Sequence, residues 1–165
     1  MLSKEELAYI SGFLDGDGCI MLQLIYRHDY VLGYQIRASI VFYQNQKNVH
    51  FLEWVKKKLI DGYIRHRNDQ MVEYTIVGTR PVMRILHLLS PYLRLKKEHA
   101  KLALSILERM PGSGRKIEPR FLLKLAKEVD KFAYLNYSKK RKNTSSQVEE
   151  FFKTHNLLNP VETDP

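Results

Sequence analysis

The stretch ISGFLDGDG, residues 10–18, decides the predicted fold, because an amphipathic helix runs into it and ends there. Asp15 and Asp17 come at that end, where the partial negative charge of a helix C-terminus disfavours acids. Folding alone therefore does not account for the two carboxylates. Carboxylate oxygens are the ligands that Mg²⁺ prefers, so the pair indicates a metal site. The alternative is a plain helix stop, since Asp-Gly pairs are common in turns.

The helix that enters this stretch also carries a smooth face. Ser3 and Glu6 form a Ser-x-x-Glu capping box, which predicts that the helix begins directly after Ser3. Ala8, Gly12 and Gly16 then follow at intervals of four residues, so they share one face of the helix. Small side chains on one face allow another backbone to approach closely. One short element is therefore predicted to offer both a packing surface and an acidic end.

The charge balance indicates a polyanionic partner. The 165 residues include 27 Lys and Arg against 18 Asp and Glu, which gives a net charge of +9. Such an excess points first to nucleic acid, although a basic soluble protein without such a partner has the same composition. No apolar run reaches the roughly 20 residues of a membrane helix, so no membrane association is predicted.

Several other chemistries are excluded by the residues available. The single cysteine, Cys19, rules out an internal disulfide and a Cys-rich zinc site, and the six histidines include no pair at zinc-binding spacing. A calcium loop of about twelve residues beginning at Asp15 would need glycine at Ile20 and an acid at Tyr26. The sequence contains no phosphate loop, nucleophile elbow or dinucleotide fingerprint.

Beyond the acidic stretch, the hydrophobic period changes from helical to two. Two alternating runs on either side of residues 28–33 predict an antiparallel pair of strands. The predicted elements after them are a helix over 48–61 ended by Gly62, strands over 63–67 and 71–77, a helix with Thr79 as its N-cap, and helices ending near Leu107, over 119–135 and over 146–154. This order, αββαββα followed by helices, predicts an α+β fold in one domain over residues 1–158, with a frayed tail over 159–165.

The faces of the four strands that point away from the core carry side chains suited to base recognition. Arginine pairs with guanine edges in the major groove and glutamine with adenine edges. An ordinary solvated sheet face, the alternative, is usually richer in lysine and glutamate. The predicted base-contact residues are Gln23, Ile25, Arg27, Gln35, Arg37, Val41, Arg65, Arg67, Glu73 and Thr75.

These features together resemble a known family. Residues 10–18 resemble the LAGLIDADG signature residue by residue, residues 62–67 its third strand, residues 91–96 its segment with a catalytic lysine, and residues 135–139 its phosphate-binding loop. The resemblance extends to about Phe152. The chain is similar to LAGLIDADG homing endonucleases of the single-motif group, which is typified by green-algal chloroplast intron enzymes.

The resemblance implies an activity and an assembly. One motif per chain implies a homodimer whose motif helices pack at the two-fold axis, and whose saddle-shaped sheets bind a long pseudo-palindromic DNA duplex that is cut with 3′ overhangs. Mg²⁺ is the expected cofactor, with Mn²⁺ supporting activity and Ca²⁺ supporting binding only. An organelle, the chloroplast before the mitochondrion, is the expected location.

The resemblance also implies residue roles. Asp17 is the expected metal ligand with the backbone of Gly16, and Asp17, Gln44 and Lys96 are the expected catalytic residues. The expected phosphate contacts are Lys47, Asn48, Ser138, Lys139, Lys142 and Asn143, and the expected interface residues are Ala8, Ser11, Gly12, Asp15 and Gly16.

One position departs from the family pattern. Asn48 occupies the place of a second basic residue, and Lys47 and His50 are the candidates to replace it. A protein that binds DNA or intron RNA without cleaving it is the rival function. The presence of Asp17, Gln44 and Lys96 favours cleavage.

Overall fold

A computed structural model describes residues 2–112, 114–136 and 141–159, and its elements follow the predicted order. The helices and strands are α1 (Lys4–Asp17), β1 (Gly18–Tyr26), β2 (Tyr34–Asn45), α2 (Val49–Leu59), β3 (Tyr63–His66), β4 (Met71–Val77), α3 (Thr79–Leu89), α4 (Lys97–Leu107), α5 (Pro119–Val129), α6 (Phe132–Leu135) and α7 (Ser145–Thr154). The strands form one antiparallel sheet in the order β1-β2-β4-β3, which confirms the α+β prediction.

The chain forms two compact units. The first comprises residues 1–22 and 37–108, and the second comprises residues 23–36 and 109–165. Strands β1 and β2 each continue from one unit into the other. The single domain over residues 1–158 stays a prediction, and residues 160–165 of the expected tail lie outside the described residues. Within the described ranges, no helix is long and apolar enough to cross a membrane.

The core of the first unit lies on one face of its strands, as the alternation predicts. Ile40, Phe42, Tyr74 and Ile76 are fully buried there. The ring of Phe42 stacks between Phe13 of α1 and Tyr74 of β4, with centroid distances of 5.6 and 5.7 Å. Burial of such rings anchors α1 on the sheet, which fixes the position of the acidic end of the helix.

The register of β2, β4 and β3 sets which side chains are neighbours on the opposite face. Tyr43 of β2 lies across from Glu73 of β4, and Glu73 lies across from Arg65 of β3. Directly opposed residues have adjacent side chains, so the three form one row across the sheet.

Two helix boundaries in the first unit differ from the sequence prediction. Helix α2 ends at Leu59, and the chain reverses at Ile60, whose φ and ψ of 76° and −47° are those of a classic γ-turn. The N–H of Asp61 donates to the carbonyl of Leu59 at 3.0 Å and closes that turn, two residues before the predicted stop. Thr79 is the first residue of α3 rather than its N-cap.

In the second unit, the helix predicted over residues 119–135 is broken. Helix α5 ends at Val129, whose carbonyl accepts a hydrogen bond from Nη1 of Arg141 at 2.9 Å. The carboxylate of Asp130 accepts from the backbone N–H of Ser145 at 3.0 Å. Both acceptors bind donors in the segment that leads into α7, and the chain forms short turns between the end of α5 and the start of α6. Neither partner is near in sequence, which is why local periodicity predicted one helix.

Helix α7 completes the second unit. It begins at Ser145 with a capping box between Thr144 and Gln147, one residue before the predicted start. Phe152 is fully buried, and the neighbouring ring of Phe151 packs against Gly33. A Cβ at Gly33 would lie 2.4 Å from that ring, and its φ of 65° also favours glycine, so the loop between β1 and β2 requires this residue.

Candidate active site and nucleic-acid interface

The acidic end of α1 places Asp17 in solvent. Asp17 is the last residue of the helix and is exposed, and the last turn contains no basic residue. No hydrogen bond or ion pair holds its carboxylate within the part of the chain that the structure describes. A free carboxylate beside the exposed backbone of Gly16 suits a divalent cation that prefers oxygen ligands.

Asp15 has a different role from Asp17. It is only 8% exposed, and its carboxylate accepts three backbone hydrogen bonds, from Arg94 at 2.6 Å, Leu95 at 3.1 Å and Lys96 at 2.9 Å. These N–H groups belong to the segment directly before α4, whose first residue is Lys97. Asp15 therefore holds the segment that leads into α4 against the end of α1.

The same contact fixes Lys96. Its Nζ donates to the backbone carbonyl of Asp15 at 2.5 Å, so its ammonium group lies beside the last turn of α1. Burial raises the pKa of the Cys19 thiol, and the positive charge of Lys96 opposes that rise. Lys96 thus acts electrostatically on the start of β1 as well. The first unit places the predicted catalytic lysine at the end of the helix that carries Asp17.

Gln44 lies at the end of β2 and is half-buried. Its Oε1 accepts from the N–H of Asn45 at 2.8 Å and from Nδ2 of Asn48 at 3.4 Å. Asn48, which stands where the family has a second basic residue, therefore contacts Gln44 directly. Lys47 and His50 are both exposed, so either side chain is accessible to a phosphate.

The sheet residues of the first unit divide into exposed arginines and buried partners. Arg37, Arg65 and Arg67 are exposed, whereas Glu73 and Thr75 are 7% and 8% exposed. Val41 and Ser39 are also buried on this face, at 4% and 3%. The centre of the face is therefore closed by neighbouring side chains, and its arginines provide the accessible chemistry.

Glu73 holds two of these arginines in place. Its Oε2 accepts from Nε and Nη2 of Arg65 at 3.0 and 2.6 Å, and its Oε1 accepts from Nη1 of Arg67 at 2.9 Å. Hydrogen bonding to Glu73, and then to Asp69, raises the pKa of Arg67. The sequence predicts Glu73 as a base contact. The structure shows that both of its carboxylate oxygens are occupied by guanidinium groups.

The sequence also contains an Arg-x-Asp pattern that was not among the predicted features. Arg27 forms a two-bond ion pair with Asp29, Nε to Oδ1 at 3.0 Å and Nη2 to Oδ2 at 2.5 Å. Arg67 forms the same pair with Asp69 at 3.2 and 2.7 Å. Such a fork fixes the plane of each guanidinium. The spacing of Arg and Asp two residues apart, at the ends of two predicted strands, is the sequence signal from which these ion pairs could be predicted.

The second unit contains the remaining described contact residues. Gln23, Arg27 and Lys142 are exposed, and Ile25 and Gln35 are half-buried. A pocket of about 420 Å³ is lined by Ile25, Tyr26, Tyr34, Lys142 and Asn143. Nδ2 of Asn143 donates to the carbonyl of Leu24 at 2.8 Å and so anchors this loop to β1. Ser138 and Lys139 lie outside the described residues.

The predicted interface residues lie on two different sides of α1. Ala8, Gly12 and Gly16 are exposed, and a Cβ added at Gly12 or Gly16 would meet no atom within 4 Å. Ser11 is fully buried and donates from Oγ to the carbonyl of Leu89 at 3.1 Å. Ser11 therefore joins Asp15 in packing inside the unit. The open face consists of the small residues alone.

The described residues supply too few ligands for a complete metal centre. No three His, Cys, Asp or Glu side chains converge on a point anywhere in residues 2–112, 114–136 and 141–159. Asp17 and the Gly16 carbonyl fit the chemistry of Mg²⁺, which is usually bound by one or two carboxylates and keeps several water ligands.

Comparison with known proteins agrees with this geometry. The model of the LAGLIDADG endonuclease family matches residues 10–108. The chain is 37% identical to the DNA endonuclease I-CvuI of Chlorella vulgaris over 148 residues, which is 90% of each chain. It is 37% identical to the DNA endonuclease I-CreI of Chlamydomonas reinhardtii over 150 residues, which is 88% of each chain.

A solved structure supports the same assignment. The homing endonuclease I-CvuI, crystallised in complex with its target in the presence of Ca, superposes with a TM-score of 0.86 at 36% identity and covers 95% of this chain and 97% of its own. The predicted resemblance is confirmed, and this chain belongs to the LAGLIDADG endonuclease family.

Proposed function

We propose that this protein is a homodimeric, site-specific DNA endonuclease that hydrolyses one phosphodiester bond in each strand of a long pseudo-palindromic duplex and leaves 3′ overhangs. The observation that carries the proposal is the free, exposed carboxylate of Asp17 on the helix end where Asp15 fixes Lys96. A carboxylate that is free for a metal and an ammonium group beside it suit hydrolysis of a phosphodiester.

The open face of α1 supports the homodimer. Each chain offers one free carboxylate at the end of α1, whereas a metal bound through oxygens needs several ligands. The exposed Ala8, Gly12 and Gly16 face has room for a second α1. Packing two such faces would bring two Asp17 carboxylates together, and the scissile phosphates would supply the remaining oxygens.

Each catalytic residue has one task in this proposal. Asp17 and the Gly16 carbonyl would hold Mg²⁺, which when bound supplies Lewis acidity and lowers the pKa of water. The Lys96 ammonium stabilises negative charge on the scissile phosphate. The amide of Gln44, oriented by Asn45 and Asn48, positions water through its nitrogen.

The use of a divalent metal is supported by a relative. I-CvuI was crystallised with its own target in the presence of Ca, and with the I-CreI target in the presence of Mg, where the DNA was not cleaved. For this protein we propose Mg²⁺ as the cofactor, with Mn²⁺ supporting cleavage and Ca²⁺ supporting binding only.

The DNA contacts are proposed unit by unit. In the first unit, Arg37, Arg65 and Arg67 contact base edges, Glu73 orients two of them, and Val41 and Thr75 act through packing. In the second unit, the proposed base contacts are Gln23, Ile25, Arg27 and Gln35. The proposed phosphate contacts are Lys47, Asn48, Ser138, Lys139, Lys142 and Asn143.

We also propose that the protein acts in an organelle, the chloroplast before the mitochondrion. The relatives I-CvuI and I-CreI come from green algae, which supports this location.

The test replaces Asp17 with asparagine. Asp17→Asn should lower the rate of Mg²⁺-dependent cleavage by at least about 10³-fold, because removal of a metal ligand costs several kcal/mol of transition-state stabilisation. Binding of the target in Ca²⁺ should persist. The target is first selected from a randomised duplex library with Mg²⁺, beside an EDTA control. Loss of Ca²⁺-supported binding by an intact dimer would contradict the catalytic role of Asp17, and absence of cleavage by the wild type would support a binding protein instead.

A further inference from the structure

Helix α5 of the second unit carries a line of positive charge that none of the roles above uses. Arg120, Lys124, Lys127 and Lys131 follow one another at spacings of four, three and four residues, which places them on one side of the helix and its end. All four are exposed. The opposite side of α5 is buried in the unit, so this side is the one that faces solvent.

These side chains line an open groove of about 590 Å³. The groove also contains the apolar side chains of Leu123 and Leu158. Nη2 of Arg120 donates to the carbonyl of Leu158 at 2.8 Å, which ties the segment after α7 to α5 and gives the groove its second wall.

The one acid in the groove lining is already neutralised. Both carboxylate oxygens of Glu128 accept hydrogen bonds from Arg109, one of them at 2.9 Å, and this contact holds the pKa of Glu128 below its usual value. Nζ of Lys127 lies 3.7 Å from Oε2 of Glu149 and forms an ion pair with it. No ion pair joins Lys124 or Lys131 to a carboxylate in the described ranges.

This arrangement is unfavourable for the helix by itself. Arg120 with Lys124, and Lys124 with Lys127, are like charges four and three residues apart on α5, and like charges at these spacings repel each other on a helix surface. Arg120 also lies in the first turn of α5, where the helix dipole disfavours cations and where no acid is present. A polyanion in the groove would relieve both effects.

We propose that this α5 groove is a second, sequence-independent binding site for the phosphate backbone of a nucleic acid. At about 1.5 Å per residue, eleven residues span about 16 Å, which matches about five nucleotides at 3.4 Å per nucleotide of one strand. Leu123 and Leu158 give the sugars an apolar surface. The choice of nucleic acid over another polyanion rests on the proposed endonuclease function.

The experiment compares salt dependences of binding. The variant Lys124→Gln/Lys131→Gln removes two groove charges, and Lys57→Gln/Lys101→Gln removes two exposed charges elsewhere as a matched control. Affinities for a non-target DNA duplex and for a single-stranded RNA are measured by fluorescence anisotropy across a salt series. Each lost phosphate contact lowers the slope of log affinity against log salt by about 0.9 for duplex and about 0.7 for single strands.

If duplex DNA is the ligand, the slope of log affinity against log salt for the groove variant should be smaller than that of the wild type by about 1.8 with the duplex probe. If RNA is the ligand, the slope should be smaller by about 1.4 with the RNA probe. The control variant should lose less with the same probe, and Lys124→Arg/Lys131→Arg should keep the wild-type slope. Equal slopes for the groove and control variants with both probes would overturn the proposal. Cleavage of the selected target by the wild type, measured in parallel, separates that result from failure of the endonuclease function.

Discussion

Replacement of Asp15 by alanine should destabilise the protein far more than its place at a helix end suggests. The side chain accepts three backbone hydrogen bonds and is almost fully buried. Hydrogen bonds to a charged group contribute at least about 1.5 kcal/mol each, so the three together amount to about 4.5 kcal/mol. Removal of an acid from a helix C-terminus returns up to about 1 kcal/mol. The net loss expected for Asp15→Ala is therefore about 3.5 kcal/mol.

The matched control is the other acid of the same helix turn. Asp17 is exposed and holds nothing within the described chain, so Asp17→Asn should change the unfolding free energy by no more than about 0.5 kcal/mol, as other surface substitutions do. Asp15→Asn keeps one oxygen and should lose about half as much as Asp15→Ala. It should also slow cleavage, because Lys96 loses the bond from its N–H that helps to fix it beside α1.

Urea unfolding followed by circular dichroism measures these differences. All variants are compared at one protomer concentration, since the proposed dimerisation would couple stability to concentration. The midpoints should shift with an unchanged m-value, which shows that the native and unfolded states keep their exposed areas. A loss below about 1 kcal/mol for Asp15→Ala, or equal losses for the Asp15 and Asp17 variants, would refute the role of Asp15 in holding the segment before α4.

Two further substitutions test the face of α1 and the turn after α2. Gly12→Leu should leave the protomer folded, because a Cβ at Gly12 meets no atom within 4 Å, but should convert the proposed dimer to a monomer in light scattering; a folded dimer of this variant would contradict the proposed α1 interface. Ile60→Gly should stabilise the protein by about 1 kcal/mol in urea unfolding, because a β-branched turn residue with φ of 76° is strained and its side chain is 77% exposed. Destabilisation would mean that Ile60 makes a contact that outweighs its strain.

The features of this protein that can be predicted from its sequence are those that depend on residues close together in the chain. The capping box at Ser3, the alternation along β2 and the acidic end of α1 are local patterns, and the structure contains each of them. The division of labour between Asp15 and Asp17 is not local, since the partners of Asp15 lie about 80 residues away. Composition alone gave both acids the same chemistry, and only the family resemblance separated them, with Asp17 as the expected metal ligand and Asp15 as an expected interface residue.

Other differences have the same origin. In the sequence, Val129 and Asp130 continue a helical pattern. In the structure, the carbonyl of Val129 accepts a hydrogen bond from Arg141, the carboxylate of Asp130 accepts one from Ser145, and the helix ends. Glu73 carries the chemistry of a base contact, but the register of β3 and β4 places Arg65 against it. In both cases a long-range partner decided what a locally ambiguous side chain does.

The division of the chain into two units has a consequence for synthesis on the ribosome. The second unit combines residues 23–36 with residues 109–165, and Gly33 packs against Phe151. The first unit is complete once residue 108 has emerged, whereas the loop around Gly33 must wait for the last helix. At about 5–20 residues per second, that delay amounts to several seconds. During this delay, the apolar side chains of residues 23–26 in β1 and 34–36 in β2 remain uncovered. The nascent chain is therefore most vulnerable to aggregation at this stage.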